Sequence, residues 1–194
     1  HWTYQPPGVH SPGVHGEQEN PIYSELMRRF SALAAKHDVP MVIHMEGYPD
    51  LVEDFSRLIN ENPNTRYVWA HNCGRSKASV IRSLLSRFQN LFCDLGGMTN
   101  VTTGYGSGWP RKEQFTSLIE RSGVLFPEMK SLYEEFPDRF MVGTDTFTPE
   151  RWHYIGSHAS YSRGWLADLP SGLAQRIGWG NAEALLRGMA ATAS

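Results

Sequence analysis

The sequence predicts an α/β protein built on a parallel sheet, and three short stretches carry that expectation. Met41-Val42-Ile43-His44, Tyr67-Val68-Trp69-Ala70-His71, and Phe140-Met141-Val142 with Asp145 just beyond, are apolar runs without alternation. Such runs fit strands buried on both faces, the usual state in a parallel sheet flanked by helices. A helical pattern separates the first run from the second, which is the strand–helix–strand order of βαβ units. Each run leads to a histidine or a carboxylate, and the carboxyl ends of parallel strands are where α/β barrels build their active sites.

The properties of the whole chain narrow the class. Its 194 residues, 40% hydrophobic and 20% charged, fit one globular domain over residues 1–194. A net charge of −2 leaves no electrostatic footprint for nucleic acid or an anionic membrane surface. No apolar run approaches the roughly 20 residues of a membrane helix, and no signal-peptide pattern opens the chain. Cys73 and Cys93 are too few for a disulfide framework and read as reduced thiols, which fits a cytoplasmic protein. The chain starts at His1-Trp2-Thr3 without an initiator methionine, so an upstream part is expected.

In chain order, residues 1–21 are rich in proline and glycine and read as loop, with at most a short strand at residues 13–17. Asn20-Pro21 supplies a helix start, Asn as N-cap and Pro at the first helical position. Ile22, Leu26, Phe30, Leu33 and Ala34 then recur at helical spacing as far as Lys36. After the strand to His44, Tyr48-Pro49-Asp50 opens a helix with Leu51, Phe55, Leu58 and Ile59 on one stripe. Asn62-Pro63-Asn64 turns the chain into the strand at 67–71, and a helix is expected over 74–89. Residues 91–95 form the next buried strand. Residues 96–112, rich in glycine and threonine, make a loop of a length that is uncommon unless functional. A helical region over 112–135, interrupted near Phe126-Pro127, leads to the strand before Asp145. A second loop, rich in aromatics and histidines, runs through Tyr161. Leu169-Pro170 and Leu173 to Ile177 suggest another helix, and residues 181–189 a last one with Asn181 as N-cap. Four strands and a probable fifth make half to two-thirds of a barrel, and a sheet of this size can also stand open as a doubly wound fold.

Two imidazoles and a carboxylate on one rim are hard to place as solvated surface. Buried polar groups are costly unless paired, so a cluster points to a shared task. His44, His71 and Asp145 suit zinc, manganese or iron, with water activation or carbonyl polarisation as the chemistry. Glu46 lies two residues from His44, on the same side if the strand continues, and can orient the imidazole or move a proton. The catalytic candidates are therefore His71, Asp145 and Glu46. Each has a bland counterpart, a histidine or carboxylate hydrogen-bonded in the core. Glu17 reads equally as a rim ligand or an exposed loop carboxylate, Asp94 as structural, and Cys73 as simply buried. His153 and His158, with Arg151, Trp152 and Tyr154, either face substrate or lie on a solvated or oligomer-contacting loop. No Gly-x-Gly-x-x-Gly, Walker loop, Gly-x-Ser-x-Gly or Cys-x-x-Cys occurs.

Taken together, Gly16-Glu17, Met41 to His44, Val68 to His71, Cys93-Asp94-Leu95, the stretch from Pro137 to Phe147 and Gly180-Asn181-Ala182-Glu183 resemble the amidohydrolase superfamily, in its amidohydrolase-related branch of metal-dependent TIM-barrel hydrolases and decarboxylases. The resemblance spans residues 13–188. It implies a (β/α)8 TIM-barrel fold, of which this chain carries about five strands, and a divalent metal held by His44 and Asp145. His71 would be a further ligand or an acid/base, and Glu17 a bridging carboxylate in a two-metal site. Zinc is the first choice of ion, with manganese or iron as alternatives. The branch's first strand carries a His-x-His pair, and none occurs in this chain. The reading that follows is a C-terminal portion of a longer protein. Its substrate is a small carboxylated or carbonyl-bearing molecule, and its open sheet edges are covered by a second copy or by a missing N-terminal segment. A decarboxylase on the same site, a non-catalytic ligand-binding barrel and a self-pairing half-barrel stand as alternatives.

Overall fold

The computed structural model describes residues 2–3, 18–19, 21–98, 117–120, 122–146 and 149–187. Its centre is a four-stranded parallel sheet in the order β3 (Met41–Ile43), β4 (Tyr67–Trp69), β5 (Leu91–Asp94), β6 (Phe140–Met141). Register is set by Val42 opposite Val68, Val68 opposite Phe92, and Cys93 opposite Phe140. A separate two-residue pair, β1 (Trp2–Thr3) with β2 (Gln18–Glu19), is antiparallel. The fifth barrel strand expected at residues 13–17 lies outside the described residues, and so does Glu17.

Strand β4 is buried because both its faces find apolar partners. Tyr67 and Trp69 of β4 point into the main core with α2 (Pro49–Glu61) and α4 (Ala78–Arg87). Val68 between them packs on the other face with Met141, Phe92 and Leu185. The α2 stripe is as expected: Leu51, Phe55, Leu58 and Ile59 are all buried, and Pro49 sits in the first turn, where no amide donor is missed.

Helix α1 (Glu25–Lys36) departs from expectation at both levels. It starts at Glu25 rather than after Asn20-Pro21, because the Ser24 hydroxyl accepts the Met27 amide and caps it. Of its anticipated stripe, Ile22 and Ala34 are buried, but Leu26, Phe30 and Leu33 stand exposed with Val39 and Val42. The face turned to the sheet instead carries Met27, Ser31 and Ala34, with the Tyr67 hydroxyl donating to Ser31 Oγ. Val42 is 66% exposed, so β3 is an edge strand among the described residues.

The helix expected over 74–89 is two pieces. α3 (Ala70–Arg75) is a single turn whose residues 71–75 all have positive φ, and α4 follows after a break at Ser76. Ile119 and Leu125 form a β-bridge ahead of α5 (Pro127–Glu135), so among the described residues of the expected region helix is found over α5, while residues 112–116 and 121 lie outside the described residues. The loop anticipated through Tyr161 contains α6 (Pro149–Trp152) and most of α7 (Ile155–Leu166). α8 (Ser171–Gln175), a π-helical turn (Arg176–Gly180) and α9 (Asn181–Leu186) run on continuously. Asn181 is therefore not a cap. Its amide donates to Pro137 O and Phe140 O and ties α9 to β6.

Cys73 and Cys93 form a disulfide, with Cα atoms 5.0 Å apart. This corrects their reading as reduced thiols, because the α3 turn folds Cys73 back over the neighbouring strand. The ground for a cytoplasmic location goes with it. No helix among the described residues is long and apolar enough to cross a membrane.

Candidate functional site

The carboxyl ends of the strands bring His44, His71 and Asp145 to one rim, each by a different device. β3 ends at Ile43 and hands His44 to the next position, half-exposed. β4 ends at Trp69, and the reversed hand of α3 then buries the His71 side chain. Asp145, four residues past the end of β6, also has a left-handed backbone, φ 53°. Left-handed backbone costs a non-glycine residue roughly 1–2 kcal/mol, and it concentrates where a site over-determines the chain.

His71 is the best-defined group. Its Nδ1 lies 2.7 Å from Gly96 O. A carbonyl only accepts, so Nδ1 carries the proton and Nε2 keeps its lone pair, a tautomer assigned from this network. Burial, then the nearby charges of Arg75 and His44, push the ring pKa down to about 2, so His71 is neutral throughout the physiological range. Its Nε2 faces His44 Nδ1 at 3.4 Å, with the rings edge to face. Two nitrogens each about 2.0–2.1 Å from one ion at the tetrahedral angle lie about 3.3–3.4 Å apart. The observed spacing is compatible with two imidazole ligands on one zinc-sized ion, and equally with His44 Nδ1 donating to the His71 Nε2 lone pair.

Asp145 stands on the other side of the His71 ring. A Cβ built on Gly97 would lie 2.8 Å from Asp145 Oδ2 and 2.9 Å from His71 Nδ1, so both side chains crowd the space a glycine leaves. Asp145 Oδ2 accepts from Arg151 Nη1 at 2.7 Å, and the same nitrogen donates to Asp145 O at 3.0 Å. Among the described residues no three of His, Cys, Asp and Glu close round one point. The imidazole pair thus fits two ligands of an ion, while the carboxylate is engaged by a guanidinium.

Glu46 is buried, not solvent-facing. It forms an ion pair with Arg75, the two side chains 2% and 4% exposed, and its Oε1 lies 3.8 Å from His44 Nε2. Its Oε2 is buried without a hydrogen-bond partner among the described residues. Asp94 takes the structural part expected of it: it caps the Gly96 amide, and burial raises its pKa. His158, expected to face substrate or lie on a solvated or oligomer-contacting loop, is buried with Nδ1 donating to Thr144 O, one residue before Asp145, while His153 is exposed. Arg75 and Gly97 carry no site pattern in the sequence, and Arg151 lies in the aromatic- and histidine-rich stretch expected as loop. The available signals were the position of Arg75 four residues after His71 and that of Arg151 six after Asp145.

A cleft of about 700 Å³ opens at the opposite, amino ends of the strands, beside Arg66, Asn90 and Arg139, and has no part in this rim.

The sequence profile of a family described as amidohydrolase matches residues 6–188. Three solved structures share the fold. An uncharacterised TIM-barrel protein from Bordetella bronchiseptica is 18% identical, with a TM-score of 0.56 over 94% of this chain and 55% of its own. An amidohydrolase 2 from Bifidobacterium longum subsp. infantis is 11% identical, with a TM-score of 0.55 over 84% of this chain and 56% of its own. An amidohydrolase from Burkholderia multivorans, solved with bound zinc, is 13% identical, with a TM-score of 0.54 over 89% of this chain and 62% of its own. The chain thus spans little more than half the length of these proteins, and its four parallel strands are part of a TIM-type barrel. No curated protein matches the sequence.

Proposed function

The chain belongs to the amidohydrolase family, and from that premise we propose that it supplies the metal-binding rim of a divalent-metal-dependent hydrolase acting on a small carboxylated or carbonyl-bearing molecule. The observation that carries the reading is the His44–His71 pair: a neutral imidazole with its Nε2 lone pair 3.4 Å from a second imidazole nitrogen, at adjacent strand ends. The zinc in the Burkholderia amidohydrolase supports a divalent ion, with zinc ahead of manganese or iron.

His44 and His71 would hold the ion, and Asp145 would have to leave Arg151 to join them. When bound, such an ion supplies Lewis-acid polarisation of a carbonyl oxygen and acidifies water. The remaining work belongs to the protein. Gly96 O holds the proton on His71 Nδ1, so the ring stays a lone-pair donor at Nε2. Glu46 Oε1 lies 3.8 Å from His44 Nε2, close enough for its charge to bias that ring and to accept from it after a small closure. Asp145, drawn off Arg151, takes and returns a proton at Oδ2, and Arg151 is left to pair with a substrate carboxylate.

The first test is metal content per chain after purification without added metal, followed by zinc titration of the wild type and of His44→Ala, His71→Ala and Asp145→Ala. Near-stoichiometric zinc lost in the two histidine variants is the expected result. An assay of the intact protein on esters, lactones, amides and aryl carboxylates then identifies the bond. Turnover should fall about 10²- to 10⁴-fold in each variant while the far-UV spectrum is kept. Wild-type turnover in all three would end the proposal, and carbon dioxide release without hydrolysis would move it to a decarboxylase.

A further inference from the structure

The segment bearing His71 is built in a conformation that L-residues avoid. His71, Asn72, Cys73, Gly74 and Arg75 all have φ between 50° and 70°. Five successive residues of this kind persist only where the surroundings over-determine them, and the surroundings here do. Ser76 Oγ donates to Cys73 O at 2.7 Å, the Gly47 amide donates to Gly74 O at 2.9 Å, and Arg75 pairs with Glu46. Gly74 admits no side chain: a Cβ there would meet Trp69 Cζ2 at 2.6 Å and Gly47 N at 2.7 Å.

Among these ties only the Cys73–Cys93 bridge is covalent, and its placement relative to His71 is specific. Cys73 is two residues past His71. Cys93 is three residues before Gly96, whose carbonyl accepts the His71 Nδ1 proton at 2.7 Å. The bridge and that hydrogen bond therefore close one small ring through the turn and the end of β5. Opening the ring at the sulfurs leaves Gly96 O and His71 related only through non-covalent ties, chiefly the ladder that pairs Trp69 with Cys93.

We propose that the Cys73–Cys93 bridge is a positioning element of the site. It keeps Gly96 O against His71 Nδ1, so the Nε2 lone pair stays turned to His44, and in this way it sets the affinity of the site for a divalent cation. This rests on the metal-site reading above for its second half and on geometry alone for its first. Both cysteines are 0% exposed, so a thiol reductant has no path to the bridge in the folded chain and its removal calls for substitution.

The experiment compares the intact wild-type chain, Cys73→Ala/Cys93→Ala, and Leu84→Ala. The last is a core deletion on α4 that loses stability without touching the turn. Two readouts are taken: imidazole ¹⁵N NMR, for the His71 tautomer and the exchange rate of its Nδ1 proton, and zinc affinity by competition with a chromophoric chelator. The bridge variant should exchange at least about tenfold faster and bind zinc about 10- to 100-fold more weakly, with Leu84→Ala unchanged in both. A wild-type tautomer and exchange rate in the bridge variant overturn the proposal, whatever zinc does, and so does an equal shift in Leu84→Ala. A wild type that binds no zinc, with exchange still accelerated in the bridge variant, removes the metal reading and leaves the ring's positioning standing. Should the double variant fail to fold, Ser76→Ala keeps the bridge and removes the hydroxyl bond to Cys73 O. Faster Nδ1 exchange there supports the turn's role, and an unchanged rate overturns it.

Discussion

The Glu46–Arg75 pair offers the sharpest test of how this rim is held. Both side chains are almost fully buried, 2% and 4% exposed, and they join the turn after β4 to the segment after β3. Removing one partner, as in Arg75→Met, leaves the Glu46 carboxylate buried with its countercharge gone. Breaking a buried pair in this way costs about 3–5 kcal/mol, a large share of the roughly 5–15 kcal/mol that a domain has in total. Glu46→Leu should cost less than that, because it removes the carboxylate facing the buried guanidinium but not the guanidinium's other interactions. The double replacement Glu46→Leu/Arg75→Met removes both buried charges together, and comparable swaps elsewhere are neutral or stabilising by about 1–4 kcal/mol. The double-mutant cycle therefore closes with a coupling of several kcal/mol. Urea unfolding at pH 7 measures it, with an unchanged slope required for the comparison. Single variants costing under about 1 kcal/mol would refute the reasoning, as would a double variant that costs their sum. Zinc affinity gives a second readout: the double variant, folded but without the carboxylate facing His44, should bind about tenfold more weakly.

Three other predictions follow from the same geometry. Because the His71 pKa is pushed down to about 2 from 6.5, the unfolded chain binds a proton that the folded chain refuses. The resulting stability is complete above pH 6.5 and is lost as pH falls toward 2, at about 1.4 kcal/mol per unit, so about 2 kcal/mol at pH 5. His71→Gln should flatten that slope between pH 7 and 5, and an unchanged slope would show that the ring is not buried neutral. Gly97→Ala, at φ 65° with Asp145 Oδ2 and His71 Nδ1 within 2.9 Å of the new methyl, should cost about 1 kcal/mol in backbone terms. It should also weaken zinc binding well beyond that, and wild-type affinity would mean that the two side chains do not work at close quarters. Arg151→Met removes a half-buried partner of Asp145 that competes with a cation, so zinc should bind about two- to fivefold more tightly. Weaker binding would make Arg151 an orienting group instead.

What was legible in the chain was what burial alone decides. Tyr67–Trp69 and Phe140–Met141 are apolar throughout and are buried on both faces. The α2 stripe has a single apolar face and buries it. Helix α1 shows where such reasoning stops: Leu26, Phe30 and Leu33 have the same spacing, yet a helix buries only the face its neighbours cover. α7 was hidden for the opposite reason. Gly156, Ser157, Ser160, Ser162 and Gly164 dilute its period, and its buried residues are only His158 and Trp165. The Cys73–Cys93 pairing depends on two strands lying side by side, which spacing along the chain does not reveal.

The chemistry at the rim turns on a feature that sequence patterns describe poorly, a strand whose continuation reverses hand. After β4, His-Asn-Cys-Gly reads as a strand end followed by the start of a helix, because right-handed helix is the default for L-residues. The contrary signal was local: Asn and Gly enter the left-handed region more readily than other residues do, and Asn72 and Gly74 alternate there with Cys73 between them. Asp145 sits in the same region after β6 and is of the same permissive type. A right-handed continuation at His71 would remove the close approach of Gly74 to Gly47 and Met45, which brings Arg75 to Glu46. The site is thus assembled by backbone reversals at two strand ends. The fold tolerates their cost at these positions because glycines, a disulfide and a buried ion pair surround them.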